Sequence, residues 1–327
     1  MGFKIGIDNY GLYPLNLSPL DTLKWALKHE AEGVAFSGLD EESRSKCNKA
    51  YLKEMAVFAE NSNLYLEWGG GQHIPRDLRT WNKKSISDAN KRSVEEANIL
   101  GVDIIRSCSG GLMRWNPESL STTQLLDEMA EELSSQLPML REGRVILAIE
   151  THFEFTTFEL LRVFEMCGVN PGDCLGICLD TMNLLTMLED PLAATERVLP
   201  WVVSTHIKDG AVRLTEEGMQ TFTCPIGEGL INLQRIIDLL SGSSREINLS
   251  VEDHGGDFFL PIFDSKFLQE FPDLSALEMV DVLEHGNFPE QGLKEGKYQV
   301  LDRAEWPQVC EERLSRDIVS LKDLEHG

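Results

Sequence analysis

The sequence predicts an α/β fold, a (β/α)8 TIM barrel with a C-terminal helical extension, on three observations. Eight short apolar runs each precede a longer stretch with helical spacing, the pattern of successive parallel βα units. From Ile5 to Val251 the chain advances 246 residues, about 31 per unit, which is the size of an eight-unit barrel. No Gly-x-Gly-x-x-Gly follows the first strand, which argues against a doubly wound open sheet. The GGGQH after the third strand lacks that spacing and reads as a loop.

The elements follow in order. FKIGID (3–8) reads as the first strand, and 18–30 as a helix opened by Ser18-Pro19, with Leu, Trp and Leu at helical spacing. GVAFSG (33–38) is the second strand, with a helix over about 43–61. LYLEWG (64–69) leads into the glycine-rich loop, and SISDANKRSVEEANILG reads as a capped helix. VDIIRSC (102–108) is followed by a helix over about 122–141, and RVILAIE (144–150) by one over 156–168. LGICLD (175–180) precedes a helix near 191–199. WVVSTHIKD (201–209) is the seventh strand, NLQRIIDLLSG (232–242) a helix, and INLSVED (247–253) the eighth strand. FLQEFPDLSALEMVDVLEHG and EWPQVCEERLSRDIVSLKDLE both read as helical, the last closing the barrel.

Residues 1–327 are thus expected to form a single barrel domain, with 253–327 as its acidic helical extension. That extension holds 17 acidic and 7 basic residues. Its segment 254–300 exceeds an ordinary βα connection and is expected to form a lid or an interaction surface.

Composition narrows the function classes. A hydrophobic share of 42% suits a globular chain, and a net charge of −24 repels nucleic acid and anionic membranes. A divalent cation and a small neutral substrate remain compatible, as does a homo-oligomer. The seven cysteines form no C-x-x-C pair, so no disulfide framework is expected and a reducing cytoplasm is the expected location. No apolar run reaches the roughly 18 residues needed to span a bilayer. The amino-terminal MGFKIGID reads as a strand and not as a signal peptide.

In a barrel, functional groups gather at the C-terminal ends of the strands. Strands five to eight end in Glu150, Asp180, His206 and Glu252, each terminating an apolar run. Any one of these would ordinarily be a cap or a loop residue, but four metal-type residues on four successive strand ends point to joint ligation. Carboxylates and one imidazole suit Mn²⁺ first, with Mg²⁺, Co²⁺ or Zn²⁺ also accommodated.

Other residues fall near the same mouth. His152 lies two residues beyond Glu150 and would share its face, within reach of a substrate hydroxyl. Lys208 and Arg213 are expected to contact substrate, while Asp209 reads equally as a hydrogen-bonding support. His73 and Trp115, with Glu67, Trp68 and Arg106, come from the ends and loops of strands three and four. Asp8 and Tyr10 follow strand one, and Gly227 and Gly229 mark a tight backbone approach.

The succession AIETH, LDTMN, THIKD, PIGEG and VED resembles the sugar isomerase/epimerase superfamily with the xylose-isomerase-like barrel, over about residues 1–252 and the last helix. Resemblance to its ketose 3-epimerases implies one divalent cation held by Glu150, Asp180, His206 and Glu252, and a proton-moving pair in Glu150 and Glu252. It implies a small carbohydrate substrate that isomerises or epimerises through an enediolate. Two carboxylates suffice for that chemistry, one taking a proton beside a carbonyl and the other returning it. One departure matters: a histidine often follows the strand-six aspartate in such relatives, and here Asn183 is the only polar residue available. That opens the alternative of a metal-dependent lyase acting on a 3-oxo sugar acid or an oxidised sugar, by decarboxylation, dehydration or cleavage of a 3-oxo-glycoside. A multi-zinc nuclease would need more than seven histidines and a basic groove, and a non-catalytic binding protein would hold no metal.

Overall fold

The computed structural model describes residues 2–108, 114, 119–285, 292 and 298–326. Eight parallel strands close a barrel: β1 (Ile5–Asp8), β2 (Gly33–Ala35), β3 (Tyr65–Gly71), β4 (Ile104–Ser107), β5 (Ile146–Glu150), β6 (Leu175–Asp180), β7 (Val202–Ile207) and β10 (Leu249–Val251), the last pairing back onto β1. Nearly every residue of these strands is buried, because helices cover the outside and side chains fill the inside. This is why the strands read as unbroken apolar runs.

The interior of the barrel carries a polar layer. Tyr65 Oη lies 2.7 Å from Ser250 Oγ, and Glu67 accepts from Ser204 and, at 3.0 Å, from Asn248. Gly33 makes room for that layer: a Cβ there would stand 2.1 Å from the Tyr65 ring.

The covering helices are α1 (Pro19–Lys28), α2 (Glu41–Lys46), α3 (Lys49–Asn61), α4 (Ser87–Leu100), α5 (Thr122–Gly143), α6 (Thr157–Cys167), α7 (Asn183–Thr186), α8 (Pro191–Val198) and α9 (Leu233–Ser241). Four expectations are corrected in detail. The helix expected over 43–61 is two, because the Asn48 side chain accepts from the backbone of Ala50 and Tyr51 and starts a new one. α4 ends at Gly101 as expected, but no side chain caps its start.

The strand expected over 201–209 stops at Ile207. Thr181 Oγ1 takes both backbone groups of Lys208, accepting from its nitrogen at 2.9 Å and donating to its oxygen at 2.6 Å. The chain then enters β8 (Asp209–Leu214), which pairs with β9 (Met219–Cys224) and, through it, with β11 (Asp257–Leu260) in a separate antiparallel sheet.

The C-terminal extension therefore contains a strand beside its helices α10 (Ser265–Leu268), α11 (Ala276–His285) and α12 (Trp306–His326). Pro272 lies between α10 and α11, where one helix was expected. α12 closes the barrel, packing on β1, β10 and the 3-10 turn Asn9–Leu15. Its Trp306 is fully buried and donates to Gly11 O at 2.8 Å. Among the described residues no helix is long and apolar enough to cross a membrane, and all seven cysteines are free.

Candidate metal centre

Strand register assembles the site. β5, β6, β7 and β10 are consecutive neighbours, and Asp180 pairs with His206, which pairs with Ser250. Glu150, Asp180, His206 and Glu252 consequently converge, with ligand-type atoms all within 4.8 Å of one another, and all four are buried. His206 Nδ1 lies 3.2 Å from Glu150 Oε1 and 3.4 Å from Glu252 Oε2, while its Nε2 lies 3.3 Å from Asp8 Oδ2.

Two cations of the chain reach into this cluster. Arg106 donates to Glu150 Oε2, and Lys208 Nζ stands 2.9 Å from Asp180 Oδ2 and 2.5 Å from Glu252 Oε2. Asn183 Nδ2 approaches Glu150 Oε1 at 3.5 Å.

The charges set the proton affinities. Burial alone would raise the Glu150 carboxyl, but Arg106 and His206 hold it well below the usual carboxylate range. Burial is likewise overcome at Glu252, where Lys208 and His206 bring the carboxyl down to about 2. At Asp180 burial prevails over Lys208, helped by repulsion from Glu252 and Glu150, and the carboxyl rises to about 6. The carboxylates around Lys208 outweigh its desolvation and keep it firmly protonated.

These residues fit a divalent cation. Four buried carboxylates, Asp8, Glu150, Asp180 and Glu252, face two permanent cations, Arg106 and Lys208, so negative charge stays in excess whether His206 is neutral or protonated. Asp180 Oδ2, Glu252 Oε2 and His206 Nε2 are buried without an aligned hydrogen bond. A buried excess of negative charge is what a bound dication would resolve.

Glu150 and Glu252 of the cluster open onto a cavity of about 550 Å³, a size that takes a small organic molecule. Glu150, Glu252, Lys208, His152, Arg106 and Tyr10 line it. Asn183 and His73 are not among the lining residues. His73 is fully buried, its Nδ1 2.7 Å from Ser107 Oγ, and burial pushes its pKa down to about 4. Arg213 is carried away along β8, where it donates to Gln220, and is not among the lining residues. Trp115 lies outside the described residues. Asp209 is enclosed by backbone: Gly210, Gly227, Gly229 and Ile231 donate to it at 2.8–3.3 Å. A Cβ on Gly229 would stand 2.0 Å from Asp209 Oδ1, so the PIGEG glycine serves that contact.

Sequence reading did not single out His254, Phe258, Cys108 or Arg303, which also line the cavity. His254 follows Glu252 by two residues, the spacing that picked out His152. Phe258 sits on the unanticipated β11, and Arg303 arrives from the extension, its guanidinium 3.1 Å from His254 Nδ1. Neither carries a local signal.

Residues 23–268 match the model of the xylose isomerase-like TIM barrel family. The chain is similar to the 3-oxo-isoapionate decarboxylase of Pectobacterium atrosepticum, 31% identical over 262 residues, covering 76% of this chain and 84% of that protein. Solved structures share the fold at lower identity. A probable 3-DHS dehydratase from Bacillus anthracis matches with a TM-score of 0.60 at 15% identity, over 88% of this chain and all of that one. D-psicose 3-epimerase crystallised with D-fructose gives 0.58 at 14%, over 99% of this chain and 100% of that one. The IOLI protein with a bound zinc atom gives 0.58 at 17%, over 91% and 100%. The chain belongs to the xylose isomerase-like TIM barrel family.

Proposed function

We propose that this chain is a divalent-metal-dependent decarboxylase of a small 3-oxo sugar acid, with Glu150, Asp180, His206 and Glu252 as its metal ligands. The observation that carries this reading is the pairing of each strand-end glutamate with a fixed cation, Arg106 on Glu150 and Lys208 on Glu252. A carboxylate whose pKa is held low in this way is a weak base for taking a proton from carbon, so the abstraction that begins epimerisation is disfavoured. Decarboxylation needs less. The bond to the carboxyl carbon breaks, carbon dioxide leaves, the electron pair moves toward the 3-oxo oxygen, and one proton is then added to carbon.

A dication at the strand ends would supply Lewis-acid stabilisation of the charge developing on that oxygen. Lys208, protonated and facing the cavity, holds the proton that completes the product. His152 and Tyr10, which line the cavity, would hold hydroxyls, and Asn183, 3.5 Å from Glu150 Oε1, would orient that carboxylate. The likeness to a 3-oxo-isoapionate decarboxylase supports the same reaction class. The isomerase/epimerase reading retains one supporting observation, that Glu150 and Glu252 both line the cavity.

Carbon-13 NMR separates the two. Metal-loaded protein given carboxyl-labelled 3-oxo-isoapionate is expected to release labelled carbon dioxide and bicarbonate, and to stop doing so after chelation. No label release, together with mass-conserving conversion of a free ketose, would establish the epimerase instead.

A further inference from the structure

A second group of metal-type side chains stands beside the first. Cys108 follows β4, and His152 and Glu154 follow β5, with ligand-type atoms within 4.8 Å of one another. His152 Nδ1 lies 2.9 Å from Glu154 Oε2, and the side chains of Cys108 and His152 are hydrogen-bonded to each other. Glu154 is buried, while Cys108 and His152 are half-buried and line the cavity. The set differs in chemistry from the strand-end ligands: thiolate, imidazole and carboxylate together select Zn²⁺, where three carboxylates and one imidazole suit Mn²⁺ or Mg²⁺. Bonds of about 2.0–2.3 Å put the ligand atoms of a tetrahedral zinc roughly 3.3–3.8 Å apart, so side-chain shifts of about 1 Å suffice to close the site.

We propose that Cys108, His152 and Glu154 bind a second cation, Zn²⁺, at the rim of the cavity. Binding removes the thiol proton of Cys108 to solvent and replaces the Cys108–His152 and His152–Glu154 hydrogen bonds with bonds to the ion. Three protein ligands leave a fourth position open, as in zinc sites that take water or substrate. Because Cys108 and His152 line the cavity, a hydroxyl or carboxylate of a molecule inside it has access to that position. The assignment is independent of whether the strand-end site breaks a carbon–carbon or a carbon–hydrogen bond.

The test is zinc stoichiometry after chelation and dialysis against ZnCl₂, read by elemental analysis alongside circular dichroism. The wild type is expected to hold two ions per chain, Asp180→Asn one, Cys108→Ser one, and the double variant none. Removing a ligand outright should weaken binding by more than about a hundredfold, since loss of a mere supporting partner already costs 10–100-fold. Co²⁺-loaded Asp180→Asn should show a thiolate-to-cobalt charge-transfer band that is absent from Asp180→Asn carrying Cys108→Ser. His152→Gln, which leaves the thiol in place, should also lose the second ion. One ion in the wild type and none in Asp180→Asn, with no thiolate band, would overturn the proposal and make the trio a hydrogen-bonded relay.

Discussion

Lys208 carries the most weight at the scale of single residues. It bridges Asp180 and Glu252 with one charge, and on the decarboxylase reading it also holds the product's proton. Lys208→Met should therefore lower carbon dioxide release by roughly 10²–10⁴-fold, the usual contribution of a positioned acid. Mn²⁺ binding, measured on the same protein, should be unchanged or tighter, because a cation that repels the ion is gone. Unchanged turnover would remove Lys208 from the chemistry. The four strand-end residues that converge were legible in the sequence because each is the polar terminus of an apolar run. Arg106 and Lys208 were also picked out there, but their pairing with the glutamates was not. Arg106 is buried inside a strand and Lys208 sits in a connector, and only register reveals that they meet Glu150 and Glu252.

At the scale of elements, α12 shows how the extension is anchored. Asp317 on α12 accepts from the backbone of Ile226 at 3.0 Å and from Arg313 Nε at 3.0 Å. Burial outweighs Arg313, and repulsion from Asp253 adds to it, so the Asp317 carboxyl rises to about 7. A raised folded-state pKa means that the protonated form prefers the folded state, so the stabilisation is complete below the unfolded value near 3.8 and is lost as pH climbs toward 7. Asp317→Asn keeps the shape and removes the titration. Between pH 5 and 8 the wild type should lose about 2 kcal/mol relative to this variant in urea unfolding, and a pH-independent difference would contradict the assignment. Hydrophobic period alone located all eight barrel strands. It could not locate the break at Asn48, the halt at Lys208 or the existence of β11, because each depends on a side chain capturing backbone groups or on pairing with a distant strand.

The whole molecule combines a site built by neighbouring barrel strands with a wall added by the C-terminal extension. β11 brings Phe258 against Phe153, with ring centroids 4.2 Å apart, and the segment before α12 brings Arg303 to the same cavity. The sequence showed that this extension was unusual in length and charge, but not that it completes the pocket. The net charge of −24 fits a molecule that concentrates cations and repels polyanions. Everything proposed about its chemistry rests on the strand-end quartet holding a divalent ion. The direct measurement is a Mn²⁺ titration of chelator-treated protein followed by electron paramagnetic resonance, wild type against Asp180→Asn. The wild type should take up one tightly held Mn²⁺ per chain, and Asp180→Asn should bind it at least roughly tenfold more weakly, since an anionic ligand becomes neutral without changing shape. Equal binding by the two proteins, or none by either, would contradict the account.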